Sequence, residues 1–182
     1  MGRQSIPFRT MNLLCAAMSL DPSLLMNRAK TLLKIYRSVA SVTLHKADMA
    51  VKESSTFYLG DGSFIQDIRV GLSYLADFEP YNRKVDFEAQ VSLLFETQWM
   101  IELIDLAMKR VRGYLIRGER YYEILYKSYF DKQSYSNTEL LELLNIEHTA
   151  FYEYKKEATL LFGIYLWGQG IPELYKTSSS AV

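Results

Sequence analysis

The stretch Ser136-Asn-Thr-Glu-Leu-Leu-Glu-Leu-Leu-Asn-Ile-Glu-His-Thr-Ala-Phe-Tyr-Glu-Tyr-Lys-Lys-Glu-Ala-Thr159 reads as two helices joined by a tight turn. Ser136 with Glu139 three residues later is a capping-box pattern, in which each side chain takes up an amide left free at a helix start. Leu140, Leu141 and Leu144 give the first helix one apolar side. Asn145 tolerates left-handed backbone and predicts the helix end, and Ile146 plugs the turn. A second helix is expected to start between Glu147 and Thr149. In it Phe151, Tyr154, Ala158 and Leu161 recur at helical spacing and define a buried stripe. His148, Thr149, Tyr152, Lys155, Lys156 and Thr159 are then predicted to project the other way. That is the layout of a helix-turn-helix, whose early outward residues meet base edges while later lysines reach phosphates.

Upstream, Glu119–Phe130, carrying Tyr122, Leu125, Tyr126 and Tyr129, is the expected supporting helix. A long helix is predicted from about Lys84 to Leu115, with Phe87, Val91, Leu94, Phe95, Met100, Leu103, Ile104, Ala107 and Val111 inward, and Gly113 and Gly118 breaking it. Ile65–Ala76 reads as a short helix ending before Pro80, because the residue preceding proline avoids helical backbone. Gly60-Asp61-Gly62 marks a turn or small hairpin. Asp21-Pro22-Ser23 opens another helix. Its apolar residues Leu25, Ala29, Leu32, Leu33, Tyr36, Val39 and Ala40 carry it to about Glu53. Residues 1–10, with Arg3, Pro7 and Arg9, read as an arm. Met11–Leu20 reads as a buried helix turn rather than a signal sequence.

The expected fold is therefore all-α, a helical bundle with a C-terminal helix-turn-helix. Residues 1–118 would form an N-terminal helical domain for dimerisation, partner or effector contact. Residues 119–176 would form the DNA-binding region, and 177–182 a disordered tail.

Among the 182 residues, 21 basic and 21 acidic side chains cancel, so total charge does not advertise a polyanionic partner. The distribution is uneven: residues 1–58 carry +5, 59–108 carry −6, 109–130 carry +4 and 131–162 carry −3. The −3 of the two-helix segment opposes phosphate binding, which is driven by neutralising charge. The basic run Lys109, Arg110, Arg112, Arg117 and Arg120 lies just upstream and is the candidate source of the missing field.

The string from Tyr135 to Ala158 resembles the C-terminal helix-turn-helix of the ArpU/RinA-like phage late-gene activators, which are similar to DNA-binding region 4 of sigma factors. The resemblance covers residues 119–162. It rests on the aromatic pair Phe151-Tyr152 followed by Tyr154-Lys155-Lys156-Glu157-Ala158. The family often places a basic residue directly after the aromatic pair, where this chain has Glu153. The resemblance implies a transcription regulator whose partner is double-stranded DNA. The expected DNA-binding residues are His148, Thr149, Tyr152, Lys155, Lys156, Thr159, Arg112, Arg117 and Arg120.

Enzyme readings find little support. His45, His148 and Cys15 are too few for a structural zinc site. The helical-bundle di-iron pattern needs Glu three residues before His, and Val42 and Asn145 stand there. Gly60-Asp61-Gly62 lacks the spacing and the lysine of a phosphate loop. No catalytic residue, metal or cofactor is expected. One cysteine excludes an internal disulfide and fits a reducing compartment, and no apolar run approaches membrane-spanning length. A cytoplasmic protein, a homodimer and RNA polymerase as a further partner complete the expectation. The alternative is a protein-interaction module without direct DNA contact, motivated by the acidic block and the 14 tyrosines.

Overall fold

The computed structural model describes the backbone of residues 5–50, 71–73, 75–76 and 98–179, and the side chains of 5–38, 71–73, 75–76 and 99–177. The regular elements are helical: α1 (Ile6–Ala17), α2 (Pro22–Ala50), α3 (Gln98–Arg112), α4 (Gly118–Leu125), α5 (Asn137–Leu144), α6 (His148–Gly163) and α7 (Ile171–Ser179). The protein is all-α, with no strand among the described residues. One π-helical turn, Tyr126–Phe130, extends α4, and another, Ile164–Gly170, joins α6 to α7 without a break. The turn and short helix expected over 54–76 lie largely outside the described residues; 71–73 and 75–76 are helical.

The helix starts follow local chemistry. Ser5 caps α1 by accepting from the Phe8 amide at 3.2 Å, and Asp21 caps α2 by accepting from the Leu24 amide at 2.7 Å. The arm expected over residues 1–10 is thus corrected from Ile6 onward. Ser5 provides a cap, Pro7 sits in the first turn where its missing N–H costs nothing, and Pro7, Met11 and Cys15 bury one side of α1.

The core forms around α6. From Glu157 to Ile164 every residue is buried, so this half of the helix is enclosed rather than amphipathic. Helix α2 supplies Leu25, Ala29, Leu32 and Leu33, and α3 supplies Met100, Leu103, Ile104, Ala107 and Val111, all in one cluster with Leu160, Leu161 and Phe162. That cluster draws residues from both sides of position 118, from Met11 to Ile171. Gly163 lets α2 approach closely: a Cβ there would stand 3.0 Å from the Leu25 side chain. The chain expected to be a disordered tail from Thr177 is helical through Ser179.

A second, smaller cluster of Ile124, Leu140 and Phe151, flanked by Tyr135, Leu141, Leu144, Ile146 and Tyr154, fastens α5 and the start of α6 to α4. It sits at one end of the main core, to which Tyr154 also belongs.

Candidate nucleic-acid interface

The start of α5 carries both halves of the capping box. The Ser136 amide donates to Glu139 at 2.6 Å, and the Glu139 amide donates to the Ser136 hydroxyl at 3.2 Å. These bonds stabilise the ionised carboxylate and hold Glu139 below its ordinary pKa. Asn145 closes the helix with φ 48°, in the left-handed region, and the Ile146 amide donates to the Leu141 carbonyl at 3.1 Å. Asn145, Ile146 and Glu147 form the whole connection. Glu147 then caps α6 by accepting from the Ala150 amide at 3.1 Å. Two backbone amide bonds, to Thr149 and Ala150, lower its pKa first. Arg120 ties the unit to α4 by donating to the Leu144 carbonyl at 3.2 Å.

His148, Thr149, Tyr152 and Lys156 are exposed along α6, in agreement with the expected outward face. The His148 and Tyr152 rings lie 4.8 Å apart, and Tyr152 is 44% exposed. Leu143 of α5 is exposed as well.

Thr159 departs from that face and is corrected. It is 2% exposed, and its hydroxyl donates to the Lys155 carbonyl at 2.7 Å, within its own helix. By this turn α6 has entered the core, so no orientation on the helix faces solvent. Lys155 is half-buried. Its Nζ donates to Asn137 Oδ1 at 3.0 Å and lies 5.4 Å from the centroids of both Tyr129 and Phe151. Burial, and after it the charge of Lys34, holds its ammonium below the ordinary lysine value. Lys155 therefore bolts α5 to α6.

The upstream arginines have internal partners. Arg112 pairs with Glu119 at 2.7 Å and lies 5.0 Å from the Tyr122 ring. Arg120 pairs with Glu123 at 3.2 Å. Both remain exposed, and surface pairs of this kind contribute little, so a phosphate can compete for them. Arg117 stands with φ 63° at the N-cap of α4 and stacks 4.5 Å from the Tyr154 ring. Its guanidinium approaches the buried Glu157 at 3.5 Å from the solvent side, and the side chain stays 39% exposed.

Glu157 is 2% exposed. Tyr121 donates to its Oε2 at 2.6 Å, and the Ser5 hydroxyl donates to its Oε1. A glutamate on the apolar side of α6, beside Ala158, was the available signal for this buried network. Its partners are distant in the chain and could not be named from spacing.

Among the described residues no group of histidine, cysteine and carboxylate side chains is arranged to hold a metal ion, and no helix is long and apolar enough to cross a membrane. Comparison with protein-family models, curated proteins and solved structures returned no significant match.

Proposed function

We propose that the chain is a DNA-binding transcription regulator that meets double-stranded DNA with the outer face of the first turns of α6. The observation that carries this reading is the exposed row His148, Thr149, Tyr152 and Lys156, held on a rigid two-helix unit by the capping box, the three-residue connection and the small core beneath it. Hydrogen-bonding and aromatic side chains at a helix start are suited to base edges, and Lys156 further along is suited to a phosphate. Arg112 and Arg120 join as phosphate contacts once their surface pairs yield. Thr159, Lys155 and Arg117 act as supports rather than contacts. The resemblance to phage late-gene activators over residues 119–162 supports the same reading. A cytoplasmic homodimer presenting two such units is the form in which so few cations give useful affinity.

The test is selection from a genomic DNA library with purified protein, followed by affinity for the selected duplex at several salt concentrations. With Lys156, Arg112 and Arg120 as phosphate contacts, the log–log salt slope is expected to be about −3 per protomer. Alanine at Lys156 should reduce it by about 1. No enriched sequence would overturn the reading.

One observation favours a second reading. Leu143 and Tyr152 are 53% and 44% exposed on the same two-helix unit, an apolar character suited to a protein partner such as RNA polymerase. Capture of purified polymerase that is lost with Leu143→Asp, while no duplex is bound, would favour it.

A further inference from the structure

Helix α2 brings a second set of exposed cations to the DNA-contacting end of α6. Over residues 22–38 it carries Arg28, Lys30, Lys34 and Arg37 and no carboxylate. Leu25, Ala29, Leu32 and Leu33 face the core, while Lys30 and Lys34, about one turn apart, are exposed on the outer side. The two helices run antiparallel. Leu25 lies against Gly163 at the far end of α6, whereas Lys34 is close enough to Lys155 for its charge to weigh on that ammonium. Farther along α2, the Tyr36 and Phe130 ring centroids are 4.6 Å apart, and Arg37 donates to the Asp131 carbonyl. The row Lys30–Lys34 therefore leads onto the stripe Lys155, Tyr152 and His148 of α6.

The carboxylates beside this row do not cancel it. Lys127 holds Asp131 at 2.6 Å, and Glu157 is buried. Glu153 stands two positions before Lys155 and so on another side of α6. Among the described residues, neither Lys30 nor Lys34 forms an ion pair with a carboxylate. By contrast, the upstream run is engaged: Arg110 with Glu173, Arg112 with Glu119 and Arg120 with Glu123.

We propose that Lys30 and Lys34 on α2 form a second phosphate-contacting surface, which grips the backbone of the same duplex that the first turns of α6 meet. This surface presupposes the DNA-binding reading above. It supplies positive field that residues 131–162, at −3, lack. A phosphate beside Lys34 also offsets the repulsion between Lys34 and Lys155. Contacts of this kind fix the register of the protein on the duplex without reading its sequence.

The test measures affinity of the full chain for a mixed-sequence DNA duplex across a range of salt concentrations. Two further contacts bring the expected log–log salt slope to about −4 to −5 per protomer. Lys30→Ala with Lys34→Ala should flatten it by about 2 and weaken binding by about ten-fold or more near 0.1 M salt, with helical circular dichroism unchanged. Lys109→Ala with Lys176→Ala removes the same charge from α3 and α7 and should have a smaller effect on both. An unchanged slope in the α2 variant, while Lys156→Ala still loses about 1, overturns the α2 surface alone. An equal loss in the α3 and α7 variant does the same. No binding by the unsubstituted protein overturns the DNA reading and the α2 surface with it.

Discussion

The Tyr121 hydroxyl donates to Glu157 at 2.6 Å in a part of the core where the carboxylate is 2% exposed and the tyrosine fully buried. Arg117 reaches the same oxygen from the solvent side at 3.5 Å, and Ser5 holds the other oxygen. Four side chains from the start of α1, the head of α4 and the middle of α6 thus meet on one buried charge. A buried carboxylate persists only when its lone pairs are taken up in this way.

Tyr121→Phe removes one charge-assisted hydrogen bond and leaves the apolar ring in place. A loss of about 2 kcal/mol is expected, seen as a Tm lower by roughly 4–8 °C in thermal unfolding. A change within error would mean that Arg117 and Ser5 alone suffice to hold the carboxylate.

Gly118 is expected to reject any side chain. A Cβ there would stand 2.5 Å from the Arg112 carbonyl oxygen and 2.8 Å from that of Val111, both backbone atoms that cannot swing aside. Gly118→Ala should cost about 1–3 kcal/mol. Gly113→Ala meets its nearest atom at 3.5 Å, an ordinary contact, and should change stability by no more than about 0.5 kcal/mol. Denaturant midpoints of the two variants separate these outcomes.

The two-helix unit should respond to its caps in opposite directions. Ser136→Ala removes half of the capping box and is expected to cost about 1 kcal/mol. Asn145→Gly relieves a left-handed position, φ 48°, and should be neutral or slightly stabilising, whereas Asn145→Ala should destabilise by about 1 kcal/mol. Amide exchange across residues 137–151 reads the effect locally. Equal losses for glycine and alanine at 145 would show that its side chain, not its backbone, matters.

Stability should fall at both ends of the pH scale. Burial raises Tyr121, as do its hydrogen bond to Glu157 and that group's charge; burial likewise raises Tyr129, Tyr36 and Tyr165. Their stabilising contribution is complete below the ordinary tyrosine value of about 10 and is lost as pH rises above it, because the unfolded chain ionises first. Asp131, lowered first by its bond from Lys127, and Glu139 and Glu147, lowered by their cap bonds, work in the other direction. Their contribution is present above the ordinary carboxylate values and is lost as pH falls through the lowered ones. Phenolate absorbance should therefore rise together with loss of helical circular dichroism in alkali. Full tyrosine ionisation with the helices intact would contradict this.

Much of the local architecture was determined by sequence over short distances. The capping box at Ser136, the left-handed Asn145, the cap at Asp21 and the buried faces of α2 and α3 depend on residues only a few positions apart, which spacing can read. Tertiary structure decided the rest, for a physical reason visible at Glu157. Its partners Tyr121 and Ser5 lie 36 and 152 positions away, so the local pattern can set Glu157 on the apolar side of α6 but cannot name what holds it there. The same holds for Lys155, bound to Asn137 across 18 positions, and for Thr159, whose turn of α6 is enclosed by α2, α3 and α4. Helical periodicity assigns an inside and an outside to a helix, and that distinction ends where neighbours close around every face.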